Sequence, residues 1–175
     1  EHLEVERNLS QLTVRNYGHY LDRFIGWFKK QGYEDMTKLD QDILRKYRVY
    51  LNRLTDQHGE TLSKKTQSYH VIALRSWLKW LVKNDLDVLQ PEKVDLPQVE
   101  SQPMQFLSVE QMERLLNQPD TSEHSGLRDK AILEVLFSTG LRVSELVSLD
   151  RDQVDTKRQE FGVIGKGRRP RVVFL

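Results

Sequence analysis

Three prolines, Pro91, Pro97 and Pro103, stand in a stretch where apolar residues show no helical spacing, and they restrict the fold more than any other feature of the chain. Proline cannot donate to a helix and pushes its predecessor toward extended backbone, so residues 91–103 are predicted extended. A chain of 175 residues allows one domain or two small ones. The proline stretch favours two: residues 1–95 and 106–175, joined by a linker over 96–105.

On the N-terminal side, Tyr17, Leu21, Phe24, Ile25 and Phe28 keep the spacing of an amphipathic helix that starts near Ser10 or Thr13 and stops around Gly32. Asp40 is placed to cap a second helix with Ile43, Leu44, Tyr47, Leu51 and Leu54 on one face. A third begins near Ser63 and carries Tyr69, Ile72, Ala73, Trp77, Trp80 and Leu81 up to Asn84. Short connections among three such helices predict a small bundle. Tyr69, Trp77 and Trp80 are read as its core rather than as a base-stacking surface.

On the C-terminal side, Ser108 and Gln111 have the spacing of a capping box, with Met112, Leu115 and Leu116 as the apolar face behind it. A helix over about 127–139 is expected to bury Ala131, Ile132, Val135 and Leu136 and to stop at Gly140. A short helix from Arg142 to Leu149 follows. The runs 160–164 and 169–175, joined through Gly165, Lys166, Gly167 and Arg168, predict a β-hairpin. Two strands alone make a marginal sheet in water, so this domain is expected to be incomplete. The fold class is mainly α: a helical bundle linked to a truncated α+β domain with a small hairpin.

Composition excludes some classes. No run approaches the roughly 18 apolar residues of a membrane span, and no signal-peptide core opens the chain. With no cysteine there are no disulfides and no thiolate chemistry, which is consistent with a cytoplasmic protein. Net charge is only +1, but Lys166, Arg168, Arg169 and Arg171 crowd one short stretch that holds no acidic residue. A polyanion contact and a solvated hairpin tip fit that cluster equally.

The run STGLRVSELVSL, residues 138–149, ends one helix at Gly140 and opens the next on an arginine. Unpaired N–H groups at a helix start attract anions, and the Arg142 fork suits two phosphate oxygens. Glu145 lies on the same face and can orient that guanidinium; an ordinary surface ion pair would show the same spacing. Lys166, between two glycines, is either a mobile cation able to protonate a leaving oxygen or a solvated turn residue. Ser63, Lys64, Lys65 and Thr66 put two cations and two hydroxyls at a helix start, and Thr13 with Arg15 repeats the pattern more weakly. Each is a candidate phosphate contact or simply a capped, solvated helix end.

Taken in order, these motifs carry a resemblance. LRDKAILEVLFSTGLRVSELVSLDRDQVD (127–155) followed by GKGRRPRVVFL (165–175) resembles the first half of the catalytic domain of tyrosine recombinases, the Xer-type and phage-integrase family. LSQLTVRNYGHYLDRFIGWF (9–28) and LSKKTQSYHVIALRSWLKWLVKND (62–85) resemble that family's SAM-like core-binding domain. FLSVEQMERLL (106–116) resembles the opening helix of its catalytic domain.

The resemblance implies site-specific DNA recombination through a 3′-phosphotyrosyl intermediate, without metal or nucleotide cofactor. Arg142 matches the first catalytic arginine, Glu145 its supporting acid and Lys166 the hairpin lysine. The core-binding domain would hold one face of double-stranded DNA through Ser63, Lys64, Lys65, Thr66, Thr13 and Arg15, with Arg168, Arg169 and Arg171 as further contacts. A complete enzyme would work as a homo-tetramer on sites with inverted arms, away from any membrane, while this chain alone is expected to be a monomer.

One departure is large. All six tyrosines, Tyr17, Tyr20, Tyr33, Tyr47, Tyr50 and Tyr69, precede residue 70, and no histidine follows His124. The family's second arginine, catalytic histidine and nucleophilic tyrosine therefore have no counterpart here. The chain is expected to be a fragment of a recombinase, inactive alone. A non-catalytic DNA-binding relative that occupies recombination sites or regulates an active partner is the rival reading, and a helical interaction module a third.

Overall fold

The computed structural model describes residues 2–55, 59–98, 103–155, 157–165 and 169–175. They form two compact units, Glu1–Gln102 and Pro103–Leu175. The mainly helical fold with one small sheet matches the expected class.

The first unit is built on α1 (Gln11–Lys30), α2 (Gln41–Arg53) and α3 (Lys64–Lys83). Each starts on a side chain that satisfies an otherwise orphaned N–H. Ser10 Oγ accepts from the Thr13 amide, Asp40 Oδ1 from Ile43 and Ser63 Oγ from Thr66. Phe24, Trp27 and Phe28 of α1 meet Ile43, Leu44, Tyr47 and Leu51 of α2 and Val71, Leu74, Leu78 and Leu81 of α3 in one buried cluster. A π-type turn, His2–Glu6, precedes α1 and was not foreseen.

Two expectations for this unit need correction. The buried apolar residues of α3 are Val71, Ala73, Leu74, Leu78 and Leu81; Ala73 and Leu81 lie among them as expected, but Tyr69, Ile72, Trp77 and Trp80 do not. Both sets have helical spacing, and the narrow aliphatic one packs inside. The tryptophans lie half-buried at the rim, where an indole N–H can reach water, and Tyr69 is exposed and stacks on Tyr20. Residues 91–103 are also not extended throughout. Pro91–Lys93 form a turn of 3-10 helix, with proline at the first position, where no amide proton is needed. Pro91 and Val94 are both buried, and Val94 belongs to the bundle core.

The second unit contains α4 (Val109–Leu116), α5 (His124–Thr139), α6 (Val143–Val147) and the antiparallel strands β1 (Glu160–Ile164) and β2 (Pro170–Phe174). The capping box is present: Ser108 Oγ accepts from the Gln111 amide while Gln111 Oε1 accepts from Ser108 N–H. Lys130 Nζ donates to the Leu116 carbonyl, tying α5 to the negative end of α4. Leu141, Phe161, Val163 and Val173 form a small core, with Val135, Leu136, Leu146, Leu149 and Val154 packed around it.

The expected burial on α5 is only partly present. Val135 and Leu136 are half-buried, but Ala131 and Ile132 are exposed. The small core reaches only one side of the helix. Phe106, Val109, Phe137, Val143, Val147 and Phe174 likewise face outward. Such a density of uncovered apolar side chains is unusual for a free-standing surface.

Candidate functional site

The site is assembled at the turn between α5 and α6. Gly140 adopts φ +62°, the left-handed conformation that ends a helix cheaply only without a Cβ. The Thr139 hydroxyl donates to the Val135 carbonyl and accepts from the Leu141 amide at 3.3 Å, so the reversal is pinned by its own side chain. Leu141 then drops into the core of the second unit. With the backbone anchored on both sides, Arg142 is fixed as the residue that caps α6.

Glu145, at the third position of α6, closes back on that cap. Its Oε2 accepts from the Arg142 backbone N–H at 2.9 Å, and its Oε1 accepts from Arg142 Nη1 at 2.9 Å. The Glu145 side chain is only 9% exposed, whereas that of Arg142 is 59% exposed. The acid is a buried anchor, and the guanidinium it holds presents its remaining N–H groups to solvent. Five donors on a fixed fork leave enough to take two oxygens of an anion.

A second arginine reaches the same carboxylate from the sheet. Arg171 Nη1 lies 3.1 Å from Glu145 Oε1 and Nη2 lies 2.8 Å from Oε2. The Arg171 fork, followed by the Arg142 backbone N–H and side chain, holds the Glu145 carboxyl down at about 2. Strand alternation held the signal for this contact, since Arg171 is two residues from buried Val173 and so shares its inward face.

Arg169 is exposed, and its carbonyl accepts from the Gly165 amide at 2.8 Å, closing the base of the hairpin. Lys166 and Arg168 lie outside the described residues. In the first unit, Ser63, Lys64 and Lys65 are exposed, while Thr66 is half-buried and shares a 2.9 Å hydrogen bond with the Ser63 hydroxyl. Ser10 and Thr13 repeat that arrangement at the start of α1, also at 2.9 Å, with Arg15 exposed in the same turn. Reading the two starts as one S-x-x-T pattern would have placed Ser10 beside Ser63.

Against known proteins, residues 105–175 match the phage integrase family and residues 1–85 the phage integrase N-terminal SAM-like domain. The chain belongs to the phage integrase family. This integrase-family chain is 33% identical to tyrosine recombinase XerC of Bacillus subtilis strain 168 over 174 residues, covering 99% of the chain and 55% of that protein. It is 35% identical to tyrosine recombinase XerC of Xanthomonas campestris pv. campestris strain B100, covering 98% of the chain and 52% of that protein. The chain thus spans about half the length of the curated relatives it matches.

Two solved structures share the fold. The XerH site-specific recombinase, bound to a palindromic substrate after cleavage, has a TM-score of 0.69 at 19% identity over 97% of this chain and 50% of its own. The Tn1549 transposon integrase, in complex with circular intermediate DNA, has a TM-score of 0.62 at 16% identity over 98% of this chain and 56% of its own. Among the described residues, no helix is long and apolar enough to cross a membrane.

Proposed function

We propose that this chain supplies the DNA-holding part and the first half of the catalytic part of a tyrosine recombinase. Its substrate is a short duplex site with inverted arms, and its setting is the cytoplasm. The observation that carries this reading is Arg142: a guanidinium fixed by a buried carboxylate at a helix start, with its outer face open. Preorganised cations of this kind favour a transition state whose charge grows on phosphate oxygens.

In the reaction, a tyrosine hydroxyl gives up its proton to a base in the part of the relatives' length that this chain does not span and attacks the scissile phosphorus, and the bond to the 5′-oxygen breaks. The leaving oxygen takes a proton, which we assign to Lys166. Arg142 binds the non-bridging oxygens through that step, and Glu145 keeps it aimed. The attacking tyrosine, the second arginine and the catalytic histidine belong to the part of the relatives' length that this chain does not span. The starts of α3 (Ser63, Lys64, Lys65, Thr66) and α1 (Thr13, Arg15) hold the phosphate backbone, joined by Arg168 and Arg169 from the second unit. The complete protein acts as a homo-tetramer on two duplexes, and this chain alone is a monomer.

A chain continued to the relatives' length would be incubated, in chelator, with a nicked duplex site selected for binding. A protease-sensitive covalent protein–DNA adduct is expected. Tight binding without an adduct would replace this reading with that of a non-catalytic relative occupying recombination sites.

A further inference from the structure

Among the described residues, the Glu145 carboxylate has four donors on two oxygens. Oε1 takes Nη1 of both Arg142 and Arg171; Oε2 takes the Arg142 backbone N–H and Arg171 Nη2. A carboxylate offers about four lone-pair sites, so all are used. Of these donors, Arg171 alone engages both oxygens with one rigid group, and that fork fixes the plane of the carboxylate. Of its two remaining sites, one on each oxygen, both point at Arg142.

Gly165 makes the arrangement tight. A Cβ at this position would lie 2.7 Å from Arg171 Nη1 and 3.6 Å from Glu145 Oε1. The backbone at the base of the hairpin therefore runs directly over the Arg171–Glu145 pair, in space that a methyl group would fill. In the sequence, Gly165 immediately precedes Lys166.

We propose that Arg171 is a positioning residue rather than a phosphate contact: across the bare backbone of Gly165, it locks the Glu145 carboxylate in the plane that aims Arg142. The proposal rests on the recombinase reading for its consequence in cleavage, but the locking itself is a property of this chain alone. Lysine cannot supply the fork, so charge without planarity restores little.

The test uses the 175-residue chain first. In Arg171→Met, nitrogen-detected NMR is expected to show the Arg142 guanidinium rotating freely, where the native chain shows it restricted. The Glu145 carboxyl should titrate well above its native value of about 2. Arg171→Lys should recover the titration in part and leave Arg142 loose. Gly165→Ala keeps every charge and displaces the fork; it should loosen Arg142 in the same way, and hydrogen exchange of the β-strands verifies that each variant folds. Duplex affinity of Arg171→Met should stay within about twofold. In the full-length recombinase, single-turnover cleavage at saturating DNA should fall on the order of 10–100-fold, the scale of a misplaced reacting group.

An Arg142 guanidinium equally restricted in Arg171→Met and in the native chain overturns the proposal. So does a loss of about 0.9 from the salt dependence of DNA binding, the mark of one lost phosphate contact. If the native full-length protein forms no covalent adduct, the recombinase reading fails while the NMR results still decide whether Arg171 locks Glu145.

Discussion

Replacing both Lys64 and Lys65 with alanine tests whether the start of α3 holds DNA. Both side chains are exposed in the first turn, behind the Ser63 cap, and neither forms an ion pair with a described residue. Each cation that neutralises a phosphate contributes about 0.9 to the slope of log Kobs against log salt, so the double variant should lose about 1.8. With binding unchanged at 1 M salt, that slope corresponds to an affinity loss of about 200-fold at 50 mM and about 20-fold at 200 mM. Fluorescence anisotropy of a labelled duplex at four or five salt concentrations reads both quantities. The Ser63–Thr66 cap remains, so helicity by circular dichroism should be unaltered. Lys29 and Lys30, equally exposed but in the last turn of α1, provide the control: their double alanine variant should leave the slope within about 0.3 of native. A native slope in the Lys64/Lys65 variant, or an equal loss in the control, would refute the assignment of this helix start as a DNA contact.

Other outcomes follow from the packing. Tyr47 is fully buried and its hydroxyl has no hydrogen-bond partner among the described residues, so Tyr47→Phe should stabilise the first unit by about 1 kcal/mol. Urea denaturation followed by tryptophan fluorescence reads that unit alone, since Trp27, Trp77 and Trp80 all lie in it; destabilisation would contradict the prediction. His70 is buried, donates Nδ1–H to the Thr66 carbonyl and leaves Nε2 without a partner among the described residues, and burial pushes its titration below the ordinary histidine range. Folding then favours the neutral ring, so the same fluorescence assay should show stability intact above about pH 6.5 and declining as pH falls below it, a slope that His70→Gln removes. A Cβ on Gly126 would meet the Asp120 carbonyl oxygen at 1.8 Å, so Gly126→Ala should destabilise the α4–α5 connection by about 1–3 kcal/mol, seen as faster amide exchange along α5.

Helix ends and strands were legible because their signals are local. Ser63, Asp40, Ser108 with Gln111, and Gly140 all act where the sequence placed them. Local patterning could not decide which of two apolar stripes on α3 turns inward, because that depends on what α1 and α2 offer across the core. Nor could it show how little of α5 the second unit covers. In the site, Arg142 and Glu145 were readable because they are a helix cap and the third residue of that helix, three positions apart. The Arg171 contact spans 26 positions and was hidden by its neighbours. Grouped with Arg168 and Arg169, it looked like part of a basic patch, although strand alternation puts it on the inner face with Val173.

Arg142→Ala in a chain of the relatives' length, assayed on a nicked duplex for both adduct formation and site affinity, measures the role of that guanidinium most directly. Adduct formation should fall by at least about 100-fold, the scale for losing one preorganised donor to a developing oxyanion, while affinity for the site stays within a few-fold of native. Native rates of adduct formation by this variant would show that the residue at the start of α6 does not act on the scissile phosphate.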